Sequence, residues 1–208
     1  MRLVFASNNA HKLEEVRRIM PAGIEVLSLS DIGFEADIEE TGTTLEENSR
    51  IKAATVAAFI NDRLMNGDAA LNGVDGVFAD DTGLEIDALG GKPGVYTARW
   101  AGEPAANRKK ALAELKGKEN RNAQFRTVIT LIWTQESGVR NQDAPLQVSG
   151  IVRGRIAKEE YGNGGFGYDP VFIPEGYDKT FGELPAEIKN SISHRSRALA
   201  GLVKALNC

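Results

Sequence analysis

Cysteine is almost absent: the single Cys208 closes the 208-residue chain, so there is no internal disulfide and no multi-cysteine metal site. A reducing compartment fits that usage. Histidine is nearly as scarce, and His11 and His194 are too few for a multi-histidine zinc site. Nor does one sign of charge dominate. Lys and Arg total 25 against 29 Asp and Glu, and a net charge of −4 gives no basic field broad enough for a nucleic-acid backbone. A small phosphorylated ligand needs only a local basic pocket. No apolar run approaches the roughly 20 residues of a membrane span, and the opening "MRLVFASNNAHK" carries too short a one for a signal peptide. The expectation is a soluble cytoplasmic protein with no nucleic-acid polymer and no membrane among its partners. Neither G-x-S-x-G nor G-x-x-x-x-G-K-[ST] occurs, which removes support for a serine nucleophile elbow and for a Walker A loop. The position of Cys208 gives a cysteine nucleophile as little.

What is present is enough apolar material, 42% of residues, for one sizeable core or two lobes sharing a hinge. One domain over residues 1–208 is expected. "RLVFAS" reads as a buried strand that breaks at "SNNAHK", after which Leu13, Val16, Ile19 and Met20 recur at helical spacing. "GIEVLSL" reads as a second strand, and "TTLEENSRIKAATVAAFINDRL" as a long helix opened by a capping box of Thr43 with Glu46, its alanines suited to close contact with a sheet. "GVDGVFAD" gives the next strand and "PAANRKKALAELKG" a surface helix. "AQFRTVITLIW" and "LQVSGIVRGRIA" give two longer strands that can pair as antiparallel neighbours. A long Gly-, Pro- and aromatic-rich loop follows around a short strand, "PVFI". A final helix, "SHRSRALAGLVKAL", is capped by Ser193, with Leu199, Leu202, Val203 and Leu206 on one face. Early strand–helix alternation followed by longer paired strands predicts an α/β protein with a mixed, extended sheet.

The stretch "VFADDTGLEIDALGG" poses a chemical question, because adjacent carboxylates raise the cost of ionising one another. Asp80 and Asp81 end a buried-strand pattern, where open α/β sheets place ligands. A divalent cation would offset the repulsion. A turn in which one aspartate caps the backbone and the other is solvated would do as well. A second acidic pair, Glu39–Glu40, matters only if it meets Asp81 in space, and otherwise belongs to a solvated turn. Asn48 and Lys52 are four apart and share a helix face that is either ligand-directed or an exposed polar stripe. "SNNAHK" offers hydroxyl, amide and ammonium groups at a helix start, a suitable phosphate cradle or an ordinary Asn-capped turn. "GNGGFG" matches the letters of a dinucleotide fingerprint, but prolines and a strand follow it rather than a helix. Its glycines permit close ligand approach. Phe166 and Tyr168 can stack on a planar base and Asp169 can accept from it, unless the aromatics fill the core. Lys189, His194 and Arg195 surround the start of the last helix, where positive charge opposes the helix dipole unless an anion or a carbonyl is near.

Taken together, "FASNNAHKLEEV", "EETGTTLEENSRIKA", "FADDTGLEIDALGGKPGVYTARW", "GNGGFGYDPVF" and "EIKNSISHRSRAL" resemble the inosine triphosphate pyrophosphatase family in order and spacing over nearly the whole chain. The resemblance implies an elongated mixed β-sheet flanked by helices, two lobes with a central cleft, and a homodimer. It also implies a nucleotide-pool-cleansing enzyme that hydrolyses ITP, dITP and XTP to monophosphate and pyrophosphate with Mg²⁺. Carried over residue by residue, Ser7, Asn8, Asn9, Ala10, His11 and Lys12 would bind the triphosphate, with Lys52 also countering its charge. Glu40 and Asp81 would hold Mg²⁺, and Asp81 would be the proton acceptor for water. Thr82 would touch the substrate, Phe166, Gly167, Tyr168 and Asp169 would line the base pocket, and Lys189, His194 and Arg195 would complete it. Asn8 and Thr82 stand where Gly and Ser are frequent in the family. "LMNGDAALNGVDG" looks longer than in many relatives and is expected as a surface loop. Asp81 as both metal ligand and base sits uneasily with simple pKa logic, and Asp80 or a second metal is an alternative partner in that task. Two further readings stay open here: a Maf-type nucleotide pyrophosphatase, which a substrate panel separates, and a nucleotide sensor, which turnover excludes.

Overall fold

The computed structural model describes residues 1–134 and 144–206; Cys208 lies outside them. The first apolar run forms strand β1 (Arg2–Phe5), and Asn9 caps helix α1 (Ala10–Ile19). Strand β2 (Glu25–Leu27), helix α2 (Leu45–Met65), strand β3 (Gly76–Ile86) and the two-residue β4 (Pro93–Gly94) follow. Helix α3 (Pro104–Glu114) precedes the long strands β5 (Asn122–Trp133) and β6 (Leu146–Ile156). The chain then forms β7 (Phe172–Pro174), α4 (Ala186–Ile192) and α5 (His194–Leu206). The seven strands share one sheet in the order β2-β1-β3-β5-β6-β7, with β4 beside β3. It is mixed, as expected: β1 runs parallel to β2 and β3, whereas β3–β4 and β6–β7 are antiparallel. No helix among the described residues is long and apolar enough to cross a membrane.

The chain divides into two compact units, Met1–Asp81 with Val128–Ser149 and Ala198–Cys208, and Thr82–Thr127 with Gly150–Arg197. In the first, strand alternation sorts side chains onto two faces. Val4, Ala6, Val77 and Ala79 meet Ala53, Val56, Ala57 and Ile60 of α2. Leu3, Phe5 and Phe78 meet Val16 and Met20 from α1 and its end, and Ala198, Leu199 and Leu202 of α5. Burial on both faces explains why β1 reads as a continuous apolar run rather than an alternating one. In the second unit Leu84, Ile86, Ala111, Leu115, Phe125, Phe172 and Phe181 form a separate core.

Several boundaries differ from the sequence reading. The capping box is Thr44 with Glu47, one residue later than expected. "TTLEE" permits both registers, and the Glu47 carboxylate decides by accepting from the backbone N–H of both Thr43 and Thr44. "LMNGDAALNGVDG" is more than a surface loop, since Leu71 and Val74 are buried in the α2-side core. The short strand of the Gly-rich loop begins two residues later than "PVFI", because Asp169–Val171 form a 3₁₀ turn. Helix α4 has no counterpart in the sequence reading; it is too short to show a period. Strand β3 runs on through the aspartates to Ile86, with no turn after them.

Candidate active site

That last correction answers the question posed by the adjacent carboxylates. In an extended strand neighbouring side chains point to opposite faces. Asp81 continues the Val77–Ala79 face toward α2, and Asp80 continues the Phe78 face toward α1. The β1–β3 register ends at Phe5 opposite Phe78, so both aspartates lie beyond the end of β1. Each meets its own lysine. Lys12 of α1 reaches Asp80 Oδ1 with its Nζ at 2.9 Å. Lys52 of α2 reaches Asp81 Oδ1 at 3.2 Å and Glu40 Oε1 at 2.6 Å.

The structure therefore brings Glu40 and Asp81 to one ammonium and sends Asp80 elsewhere. Burial pushes the Asp81 carboxyl above its ordinary value; the Lys52 ammonium opposes this and Glu40 adds to it. Burial pulls the other way on Lys52, yet Asp81, Asp80 and Glu40 together hold its ammonium above the usual lysine value. Without a cation its buried pocket makes Asp81 a stronger proton acceptor than an exposed aspartate, and a bound cation would work against that.

Asn48, one turn before Lys52, is fully buried and accepts from Gly42 N at 2.8 Å. A Cβ at residue 42 would fall 2.6 Å from Asn48 Oδ1, so only glycine lets the segment after Glu40 lie this close to α2. Asn48 Nδ2 and Asp81 Oδ2 are buried without a hydrogen-bond partner among the described residues. Two hard carboxylates, one with an uncommitted oxygen, fit a divalent cation that takes its other ligands from water and substrate oxygens. Among the described residues no group of three or more His, Cys, Asp or Glu side chains forms a self-contained cage.

The loop before α1 lies on the same unit. Asn9 caps the helix, its Oδ1 accepting from Lys12 N at 3.1 Å, and Ser7 Oγ accepts from Asn9 N at 3.3 Å. Asn8, Asn9, Ala10 and His11 are exposed, and Ser7 and Lys12 half-buried. Cap and cradle are compatible readings here, because a capped helix start with exposed backbone favours an anion.

The second unit holds the remaining candidates. Asp169 Oδ2 accepts from Phe166 N at 2.7 Å and from Lys189 Nζ at 2.8 Å. Lys189 Nζ also stands 4.7 Å from the centroid of the Phe166 ring, with the Arg195 guanidinium 5.8 Å from it. Gly165 has φ +72°, and a Cβ there would fall 2.0 Å from Asp169 Oδ2, which accounts for one glycine of "GNGGFG". The carboxylate of Asp169 thus pairs with Lys189, which lies in the last turn of α4 rather than at the start of α5. Tyr168 and His194 are placed differently. Tyr168 is buried in the core, its hydroxyl pushed up by burial, and His194 stacks on Phe125 at 4.7 Å between centroids. Thr82 pairs with the Thr127 hydroxyl at 2.8 Å.

Residues 3–205 match the family model of the Ham1 family. The chain belongs to that family. The dITP/XTP pyrophosphatase of Flavobacterium johnsoniae is 45% identical over 210 residues, spanning 99% of this chain and 98% of the relative. The Bacillus subtilis protein of the same name is 45% identical over 209 residues, 98% of this chain and 96% of that one. Among solved structures, the Staphylococcus aureus Ham1 protein superposes with a TM-score of 0.82 at 37% identity, over 100% of this chain and 98% of that one. A Coxiella burnetii Ham1 protein gives 0.82 at 34%, with the same coverage. The resemblance carried by the five sequence blocks is thereby shown, as is the α/β fold. Within the Ham1 chain, sequence reasoning missed the separation of Asp80 from Asp81 and the part Asn48 plays in seating the Glu40 segment. A long β-strand through "FADDTGLEI" was the available signal for the first. The polar residue four before Lys52 was the signal for the second.

Proposed function

We propose that this Ham1-family enzyme hydrolyses the non-standard purine nucleoside triphosphates dITP, ITP and XTP to monophosphate and pyrophosphate, cleansing the nucleotide pool. The observation that carries the reading is the convergence of Glu40 and Asp81 on the Lys52 ammonium, in a chain so similar to relatives named dITP/XTP pyrophosphatase. Ser7, Asn8, Asn9, Ala10, His11 and Lys12 bind the triphosphate, and Lys12 and Lys52 counter the charge that would repel a nucleophile. Glu40 and Asp81 hold Mg²⁺, which when bound neutralises phosphate oxygens. Asp81 takes the proton of the attacking water. A new P–O bond forms in line as the bridging P–O bond breaks, and pyrophosphate leaves. Thr82 touches the substrate. Phe166, Gly167, Tyr168 and Asp169 shape the base pocket, with Phe166 presenting its ring and the buried Tyr168 and His194 supporting the wall from the core. Lys189 and Arg195 supply donors that match the C6 carbonyl of hypoxanthine or xanthine and leave the adenine amine unmatched. A homodimer and a cytoplasmic location belong to the same proposal.

A substrate panel tests it. With Mg²⁺, kcat/KM for ITP, dITP and XTP should exceed that for ATP by about 10²-fold or more, the discrimination a mismatched polar site gives. Equal turnover of ATP, or a preference for dTTP and UTP, would send the assignment to another class of nucleotide pyrophosphatase.

A further inference from the structure

We infer that Arg108 is a positioning residue for the base-binding turn, clamping the Gly167 carbonyl with Glu160 as its anchor. The inference deepens the proposed function and rests on it for the identity of the ligand. Arg108 projects from α3, whose start is fixed by the buried Asn107: its Oδ1 accepts from Ala101 N, and its Nδ2 donates to the carbonyl of Ala98 at 3.0 Å. From that fixed base Arg108 Nη1 donates to Gly167 O at 2.9 Å and Nε to Glu160 Oε2 at 2.9 Å. The guanidinium fork is thus committed in two directions, one to a carboxylate and one to a backbone oxygen. Its side chain is only 17% exposed, which distinguishes it from a loose surface ion pair.

The turn needs such a clamp. Phe166 lies between Gly165 and Gly167, with φ of +72° and +62°, so the backbone around the aromatic ring is intrinsically permissive. Asp169 holds the turn from within through Phe166 N, and Asp169 N returns a bond to Phe166 O at 3.2 Å. Those bonds leave Gly167 O pointing outward, to Arg108. Lys189 and Arg195 meet the Phe166 ring only where the turn places it. Releasing Gly167 therefore loosens the ring on which a purine would stack, with no direct effect on the carboxylate–lysine cluster of the first unit. The expected signature is weaker nucleoside binding at unchanged chemistry.

Arg108→Met, Arg108→Lys and Glu160→Gln in the full chain, with XTP and ITP as substrates and inorganic tripolyphosphate as inhibitor, test this. Arg108→Met should raise KM about tenfold with kcat within about twofold, and leave inhibition by tripolyphosphate unchanged. Arg108→Lys should recover part of the loss. Glu160→Gln should give a smaller effect, non-additive with Arg108→Met because both act through one contact. Amide exchange over residues 162–170 should quicken in Arg108→Met irrespective of substrate. Unchanged exchange with unchanged KM, or a fall in kcat at constant KM, would overturn the clamp. A wild-type protein that turned over neither nucleotide would overturn the pyrophosphatase reading, and exchange would then judge the clamp alone.

Discussion

Asp81→Asn is expected to lower pyrophosphate release by about 10³-fold or more while leaving the melting temperature unchanged or raised. The two halves of that result have one cause. Burial lifts the Asp81 carboxyl above its ordinary value, so the folded protein disfavours its charged form relative to the unfolded chain. For a carboxyl raised on folding, the stabilising contribution is present below its unfolded value and is lost as pH rises through its folded value. At neutral pH the charge is a net liability, which an uncharged amide of the same shape removes. Lys52 keeps Glu40 as a partner in the variant, so no cation is stranded. The same amide cannot take a proton from water. A variant with wild-type turnover would remove Asp81 from the chemistry, and one that lost activity through a large drop in melting temperature would make it a structural residue.

Lys189→Met is expected to cost about 3–5 kcal/mol of stability, the range for breaking one partner of a buried ion pair. Lys189 and Asp169 are 7% and 3% exposed, their charged atoms 2.8 Å apart, so solvent offers Asp169 little compensation. Phe166 N would remain as a donor to that carboxylate, and Phe166 would lose the ammonium on its ring face. Lys189→Met with Asp169→Asn should recover part of the loss, because the neutral amide oxygen can still accept from Phe166 N without leaving a buried charge unpaired. Urea denaturation of both single variants and the double reads the coupling. Strictly additive losses would show that the pair is not a unit. In the single variant, if it stays folded, preference for XTP over ATP should fall, since the donor that matches the C6 carbonyl has gone.

Much of this arrangement was legible in the sequence because it is local. β1, α1 and α5 announced themselves through continuous or 3.6-period apolar patterns, and Asn9 and Ser193 through capping chemistry. The five blocks named the family through their order and spacing along the chain. What escaped was three-dimensional. "FADDTGL" reads as strand-then-turn because Asp and Gly are turn formers, yet β3 tolerates them since Lys12 and Lys52 neutralise the two carboxylates on opposite faces. Glu40 had no special mark among Glu35, Asp37 and Glu39 until Lys52 reached it. Tyr168 and Phe166 are equivalent aromatics on paper, and only the turn closed by Asp169 sends one into the core and leaves the other partly exposed.

The most direct test of the central claim is the identity of the product released from XTP, with Mg²⁺ or with chelator. One pyrophosphate per monophosphate, lost on chelation, is the result that Glu40 and Asp81 as cation ligands and Asp81 as proton acceptor predict. Release of orthophosphate with formation of the diphosphate, or undiminished turnover in chelator, would contradict it.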